Sequence, residues 1–402
     1  VKKERLLFIC STKYLLFNAI HVRMHMFPNI PADIIVDFRT EETMEYYQRV
    51  RESGLFEKVA YLRPKIFDLH EYIRARRKGD QNASFKRCLK NTYIKLYKKY
   101  KNENNPIAKL NDLLAAEEDL DFYAYTGVFG QGNNETVRNI LKIVRGQDCE
   151  INTLEEGDST YINGCICDMV ESHNIYVYKP ELIAYASDKL KRIPPVDKDD
   201  EIFIRKVNHI FNYKQGRREI SNKIILFDTY AEPMPDFYRD HKILSRTLLR
   251  NAYKKHKVEN ALYEMQRNVY RAAVDCERDV LIKLHPSNKR LDVYKEFREK
   301  NVEIMASPQI PWEVFCLNNS IAHNVFVATI TAALKSNYFI SGGNDDNKYV
   351  VVTFDFEEMR MSATLVNLYK RLGQMRNDGN MYYPSDINEY KNVIKSLTGQ
   401  SD

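Results

Sequence analysis

The chain has 402 residues, 44% hydrophobic and 29% charged, with a net charge of +6. That length exceeds what one ordinary core holds, so two domains are expected, and the balance fits a soluble globular protein. No run of about 18 apolar residues occurs, which leaves no candidate for a membrane-spanning helix.

From the N-terminus, Val1-Lys2-Lys3-Glu4-Arg5 leads into a short apolar run, Leu6 to Cys10. It reads as a first strand rather than a signal peptide, and the leading Val1 leaves room for a removed targeting segment. The run ends at Ser11-Thr12. Residues 14–26 place Leu15, Leu16, Ala19 and Ile20 on one helical face. Residues 32–38 predict a second strand, 41–53 a helix with Thr40 as N-cap, and 58–62 a third strand. Residues 67–101 predict a helical, basic segment. A buried strand is expected over 122–126, followed by a glycine-rich loop that starts at Gly127 and runs to Gly132. A helix over 135–145 precedes the strand 150–154, which delivers Glu155-Glu156-Gly157. This alternation predicts a parallel sheet covered by helices, with ligands at the carboxyl ends of its strands. Ser11-Thr12, the Gly127 loop and the acidic turn are all expected there.

Residues 189–218, with Pro194-Pro195 and Asp197-Lys198-Asp199-Asp200, read as an interdomain connection. The pattern restarts with a strand over 223–228, a helix over 260–274 and a strand over 279–284 that delivers His285-Pro286. Strands follow at 302–305, 325–327 and 349–354. Helices are expected at 311–317, from Thr331 onward, at 357–375 and at 387–397. No internal repeat and no low-complexity segment is present. The expected fold is α/β, of GT-B type, with two Rossmann-like domains whose parallel sheets face an interdomain cleft.

Seven cysteines occur, an odd count in mostly apolar surroundings, which predicts reduced thiols in a cytoplasmic protein. Cys165 and Cys167 are the one close pair, and without a second pair no zinc site is expected. Between Arg74 and Lys101 stand eleven Lys or Arg residues and one acid, Asp80, interleaved with Tyr93, Tyr97 and Tyr100. Such a run is either a solvated helix face or a surface for a polyanion or acidic membrane. No nucleic-acid module accompanies it, so nucleic acid is not an expected partner.

Three short motifs carry chemistry. Glu155 and Glu156 sit at a strand end and point in different directions, so one of them is expected to reach a substrate and act as general base. Gly157 permits the tight turn; the alternative is a plain acidic surface turn. His285, ending the run Val280-Leu281-Ile282-Lys283-Leu284, is placed to hydrogen-bond a departing phosphate, with Pro286 fixing the loop and Lys283 or Lys289 adding charge. The alternative is a histidine satisfied by local backbone. Thr329 and Thr331 flank a helix start, either a phosphate seat or an ordinary N-cap. Asp119-Leu120-Asp121 matches a DxD pattern but precedes its strand, so no metal is expected.

In this order the motifs resemble those of the bacterial sialyltransferases: acidic-acidic-Gly, His-Pro and a later Ser/Thr motif. The stretch from Leu7 to Leu16 also resembles the opening of the family 52 sialyltransferases and the related bacterial polysialyltransferases. The resemblance implies a metal-independent, inverting transfer of sialic acid from CMP-sialic acid, with no further cofactor. Glu155 or Glu156 would be the base and His285 the contact to the CMP phosphate. Lys283, Pro286, Thr329 and Thr331 would line the donor site, although Ile330 separates threonines that are often adjacent in the family. Residues 1–190 would form the acceptor-binding domain, 191–218 a linker, and 219–402 the nucleotide-sugar-binding domain. Ser11, Thr12 and Gly127 would face the cleft. Lys95, Lys98 and Lys99 would meet an acidic capsule glycan or lipooligosaccharide, with peripheral contact at the inner face of an anionic membrane. Two other readings remain open. Lys283-Leu284-His285-Pro286 also resembles a motif of teichoic-acid glycerophosphotransferases that use CDP-glycerol, which need a second histidine, here His323. The third reading is a non-catalytic polyanion binder.

Overall fold

The computed structural model describes residues 3–38, 42–62, 114–116, 120–130, 140, 148–162, 172–183, 187–229, 250–276, 278–285, 294–298, 302–305, 310–329, 331–340, 345–354 and 363–399. The predicted 67–101 segment, Thr40, Pro286 and nearly all of the predicted 135–145 helix lie outside these residues.

The N-terminal half is built on β1 (Leu6–Cys10), β2 (Ala32–Val36), β3 (Val59–Leu62), β4 (Leu114–Ala116), β5 (Gly127–Gly130), β6 (Glu150–Leu154), β7 (Asn174–Val177) and β8 (Leu190–Arg192). They form one sheet in the order β4-β3-β2-β1-β5-β6-β7-β8, parallel except for the β3–β4 pair. All five residues of β1 are buried, which explains its unbroken apolar run: a central parallel strand is covered on both faces. Helix α1 (Lys13–His25) starts where β1 ends, capped by Thr12, whose hydroxyl accepts the Leu15 N–H at 3.1 Å. Helix α2 (Thr43–Glu52) has Glu42 at its N-cap.

Two predicted features moved. Residues 122–126 form no strand; Phe122 and Tyr125 are buried in a turn, and Tyr125 donates to Asp33 at 2.7 Å. The glycines form β5 instead. A Cβ on Gly127 would stand 3.0 Å from Leu6 Cδ2, a tight contact that the Leu6 side chain would have to relieve by a small shift. Gly127 pairs with Leu6 and Glu150, the first residues of their strands. It therefore lies at the amino edge of the sheet, opposite the carboxyl ends, and is not a cleft residue.

A short helix, α3 (Asp158–Tyr161), follows the acidic turn. Inside the expected linker, Asp200 caps α4 (Glu201–Phe211) by accepting the Phe203 N–H at 2.9 Å. The charge run at 197–200 is thus in part a helix start. Helix α4 packs on α1 and α2, and β8 joins the N-terminal sheet.

The C-terminal half contains β9 (Glu219–Ser221), β10 (Ile224–Phe227), α5 (Arg250–Val274), β11 (Val280–Lys283), α6 (Lys295–Arg298), β12 (Val302–Ile304), α7 (Trp312–Asn318), β13 (Ser320–Ala322), β14 (Val325–Ala328), α8 (Ala332–Ile340), β15 (Lys348–Val351), α9 (Ala363–Arg376), β16 (Met381–Tyr382) and α10 (Ile387–Thr398). The second sheet is parallel throughout, in the order β12-β11-β10-β14-β15-β16, and β9 pairs with β13 separately. In both large sheets the first strand is central: β1 lies between β2 and β5, and β10 between β11 and β14. The reversal of strand order there opens a crevice between β1 and β5, and another between β10 and β14. The α/β, GT-B type expectation of two Rossmann-like parallel sheets is met.

The halves share one apolar cluster, which runs from Phe8 and Phe203 to Trp312, Phe315, Phe339 and Leu368. Asn208 and Asn318 exchange amide hydrogen bonds of 2.6 and 2.7 Å across the junction. Among the described residues no helix is long and apolar enough to cross a membrane. Thr12→Ala should lower stability by about 1 kcal/mol, the usual worth of such a cap, as read from the midpoint of urea unfolding.

Candidate functional site

The acidic turn follows β6 directly. Gly157 has φ 99°, a conformation that side chains other than glycine's rarely adopt, so the turn requires it. Glu155 is 0% exposed. Its carboxylate accepts Tyr161 Oη at 2.5 Å, Tyr14 Oη at 2.9 Å and the Tyr178 N–H at 2.9 Å. Its carbonyl accepts Asn18 Nδ2 at 2.8 Å. Burial raises the pKa of Glu155, while Lys335 and the three donors oppose that shift. A carboxylate so enclosed holds structure together rather than facing a substrate. Glu156 is only partly buried; its N–H donates to Thr160 Oγ1 at 2.9 Å. It lies near the carboxyl end of β1: burial pushes the Cys10 thiol up, and the charge of Glu156 adds to the effect.

The second half repeats the device. Asp228, buried just past the end of β10, accepts the His285 N–H at 3.0 Å and Tyr294 Oη at 2.6 Å, together with Gln266 Nε2. Its own N–H donates to Lys283 O at 2.9 Å. Asp228 thereby holds the turn that carries His285, from the neighbouring strand. Burial lowers the His285 pKa, with Asp228 raising it and Lys283 lowering it. Lys283 is buried and donates to Leu284 O at 2.9 Å. Its ammonium is pushed down to about 8, chiefly by burial; Glu313 opposes the shift, Lys13 adds to it, and Asp228 opposes it more weakly. Since Lys13 opens α1 in the other half, the region around β11 and that around β1 feel each other's charge.

Thr329 follows β14 and Thr229 follows β10, and their hydroxyls lie 2.6 Å apart at the crevice between those strands. Thr331 caps α8: its hydroxyl accepts the Ala333 N–H at 3.3 Å. Its carbonyl accepts the hydroxyl of Tyr369 at 2.8 Å. The boundary between halves is crossed again at Asp158, which pairs with Lys335 on α8 and accepts Tyr369 Oη at 2.8 Å. Glu313, buried on α7, accepts the Ser336 hydroxyl; burial raises its pKa, and Ser336, Lys283 and Lys335 oppose the rise. Phe339 packs its ring 5.8 Å from Tyr178 and 6.3 Å from Tyr161.

The structure thus places the acidic turn, Ser11, His285, Thr329 and Thr331 at strand carboxyl ends. Thr12 serves as a helix cap there. Lys95, Lys98 and Lys99 lie outside the described residues. His323, the second histidine that the CDP-glycerol reading needs, precedes β14 and is exposed, with φ 57°. It stands at the amino edge of the second sheet, whereas His285 stands at the carboxyl end, so the two do not form one site. Sequence reasoning missed Asp228, Asp158, Lys335 and the tyrosines around Glu155. A carboxylate at the end of the run Ile224-Ile225-Leu226-Phe227 was the visible signal for Asp228.

No protein-family model matches the chain, and no curated protein matches it. Among solved structures it is similar to MurG of Acinetobacter baumannii, at 9% identity and a TM-score of 0.44, over 99% of this chain and 91% of that one. It is also similar to the N-terminal domain of a Candida albicans trehalose-6-phosphate phosphatase, at 8% identity and a TM-score of 0.37, over 100% of this chain and 98% of that one. The fold rests on the strand orders themselves.

Two outcomes follow from the geometry. Glu155→Ala strands two hydroxyls and one amide, at about 1–3 kcal/mol for each buried donor left unpaired. Glu156→Ala should change stability by about 0.5 kcal/mol or less, as partly exposed positions do; urea unfolding of both variants measures the contrast. The second concerns His21, which is buried on α1 with its Nδ1 3.0 Å from Tyr178 Oη. Burial, helped by His25, pushes its pKa down from 6.5 to about 3, with Asp200 opposing. The unfolded chain then takes up this proton first, so the contribution of His21 is intact above pH 6.5 and is lost as pH falls toward 3. His21→Gln should flatten the acid limb of the stability profile by up to about 1.4 kcal/mol per pH unit.

Proposed function

We propose that the chain is an inverting glycosyltransferase that moves sialic acid from CMP-sialic acid to a hydroxyl of an acidic bacterial surface glycan. One observation carries this reading: Glu156 and His285 follow the carboxyl ends of parallel strands in different halves, and each turn is held by its own buried carboxylate, Glu155 or Asp228. Such an arrangement suits a reaction with an acceptor on one side and a phosphate leaving group on the other.

Glu156, rather than Glu155, is the general base in this proposal, because the carboxylate of Glu155 is already occupied by three donors. It removes the proton of the acceptor hydroxyl as that oxygen attacks the anomeric carbon from the face opposite CMP. Positive charge grows on the sugar ring while negative charge grows on the phosphate. His285 donates a hydrogen bond to that phosphate, and Lys283 adds positive potential nearby. The Thr229–Thr329 hydroxyl pair and the start of α8 lie at the crevice of the second sheet, where strand order favours a nucleotide. The basic run around Lys95, Lys98 and Lys99 would draw an acidic acceptor or an anionic membrane.

Incubation with CMP-sialic acid and a panel of lactoside, sialyl-lactoside and oligosialic acceptors, read by mass, tests the reading. A product heavier by one or more sialic acid units is expected, and transfer from CDP-glycerol instead would replace it. Glu156→Gln should cut turnover by about 10²–10⁴-fold, the usual worth of a general base, with folding intact. Absence of transfer by the wild-type chain, with polyanion binding unchanged in Glu156→Gln and His285→Ala, would leave the non-catalytic, polyanion-binding role. Charge reversal at Lys95, Lys98 and Lys99 should weaken long acidic acceptors more than short neutral ones, measured as separate kcat/KM values.

A further inference from the structure

The acidic motif is followed at once by Asp158, the first residue of α3, and its side chain is committed to the other half of the molecule. One oxygen pairs with the ammonium of Lys335, whose side chain is 1% exposed. The other accepts the hydroxyl of Tyr369 at 2.8 Å. The single proton of that hydroxyl is shared with the Thr331 carbonyl, also 2.8 Å away. Thr331 is the residue that caps α8, and Lys335 lies one turn further along the same helix. A continuous polar path therefore joins the turn that carries Glu156 to the helix start beside Thr329. The ring of Tyr161, whose hydroxyl holds Glu155, lies 4.9 Å from Lys335 Nζ and ties the same two regions a second time.

We propose that Asp158 is a positioning residue. Through Lys335 and Tyr369 it sets the distance between the acceptor-side turn and the donor-side helix start. The assignment rests on the reaction proposed above, because it gives the two ends of the path their roles. Asp158 itself touches neither substrate. Its effect falls on the step that needs both sides in register, and not on donor binding, which the second half supplies alone. Tyr369 completes the path with one hydroxyl, and its removal leaves the Asp158–Lys335 pair in place.

The test uses the full chain with Asp158→Asn, Tyr369→Phe and the double variant. Amide hydrogen exchange read by mass spectrometry needs no substrate. Tyr369→Phe, a change in the C-terminal half, should speed exchange at residues 158–162 of the N-terminal half, leaving β1 and β2 unchanged. Unchanged exchange at 158–162 overturns the proposal. In kinetics, Tyr369→Phe should lower kcat for transfer by about tenfold and Asp158→Asn by up to about 10²-fold, as small misplacements of reacting groups do. CMP affinity by calorimetry should stay within about threefold, and the double variant should be no worse than Asp158→Asn. Losses that multiply, or that appear equally in CMP affinity, overturn it. Should Asp158→Asn fail to fold, the milder Tyr369→Phe decides the matter. A wild-type chain that binds CMP-sialic acid without transferring it, or ignores it, sinks the proposed reaction, while the exchange result still decides whether the path couples the halves.

Discussion

A carboxylate buried at the end of a strand must be met by donors or surrender its charge, and this constraint organises both halves of the molecule. Glu155 meets it with Tyr14, Tyr161 and the Tyr178 amide, drawn from α1, α3 and the end of β7. Asp228 meets it with the His285 amide, Tyr294 and Gln266. In each case the satisfied carboxylate fixes a turn, and the turn presents a second residue, Glu156 or His285, that is less enclosed. Removing such a carboxylate would cost more than its own hydrogen bonds, since it would leave several donors stranded in a dry interior.

Those turns bear on function because each follows the carboxyl end of a strand, and the acidic turn meets the other half directly, through the pairing of Asp158 with Lys335 and Tyr369. In each large sheet the strand order reverses about the first strand, and both crevices open at carboxyl ends. The boundary is neither wholly apolar nor wholly polar. A shared hydrophobic cluster runs along it, and the charged groups Asp158, Lys335, Glu313 and Lys283 stand at its edge. Buried charge of this kind is weak evidence for stability, and its better-attested use is to select one register of approach.

Much of this organisation was legible in the chain. The runs Leu6 to Cys10, Val280 to Leu284 and Val325 to Val327 announced central parallel strands, because a strand covered on both faces has no polar side. Where legibility failed, tertiary packing overrode local pattern. Phe122 and Tyr125 look like strand residues but are buried in a turn, and Gly127 looks like a loop residue but pairs in a sheet where Leu6 leaves little room for a side chain. The charge-rich connection concealed α4, whose apolar positions Phe203, Val207, Ile210 and Phe211 find partners only once α1 and α2 are in place.

The sequence by itself determined that Glu155-Glu156-Gly157 and His285 stand at strand ends in separate halves, since runs of apolar residues and the turn residues after them are local signals. It left open which glutamate faces outward, because a shift of one residue in strand register exchanges the two. Only the tertiary structure decided that. Donors from α1, α3 and the end of β7 converge on Glu155, Tyr14 from 141 residues away, and what encloses Glu155 leaves Glu156 the more accessible of the pair. Asp158 belongs to the same class: its partners lie 177 and 211 residues away, beyond the reach of any local pattern.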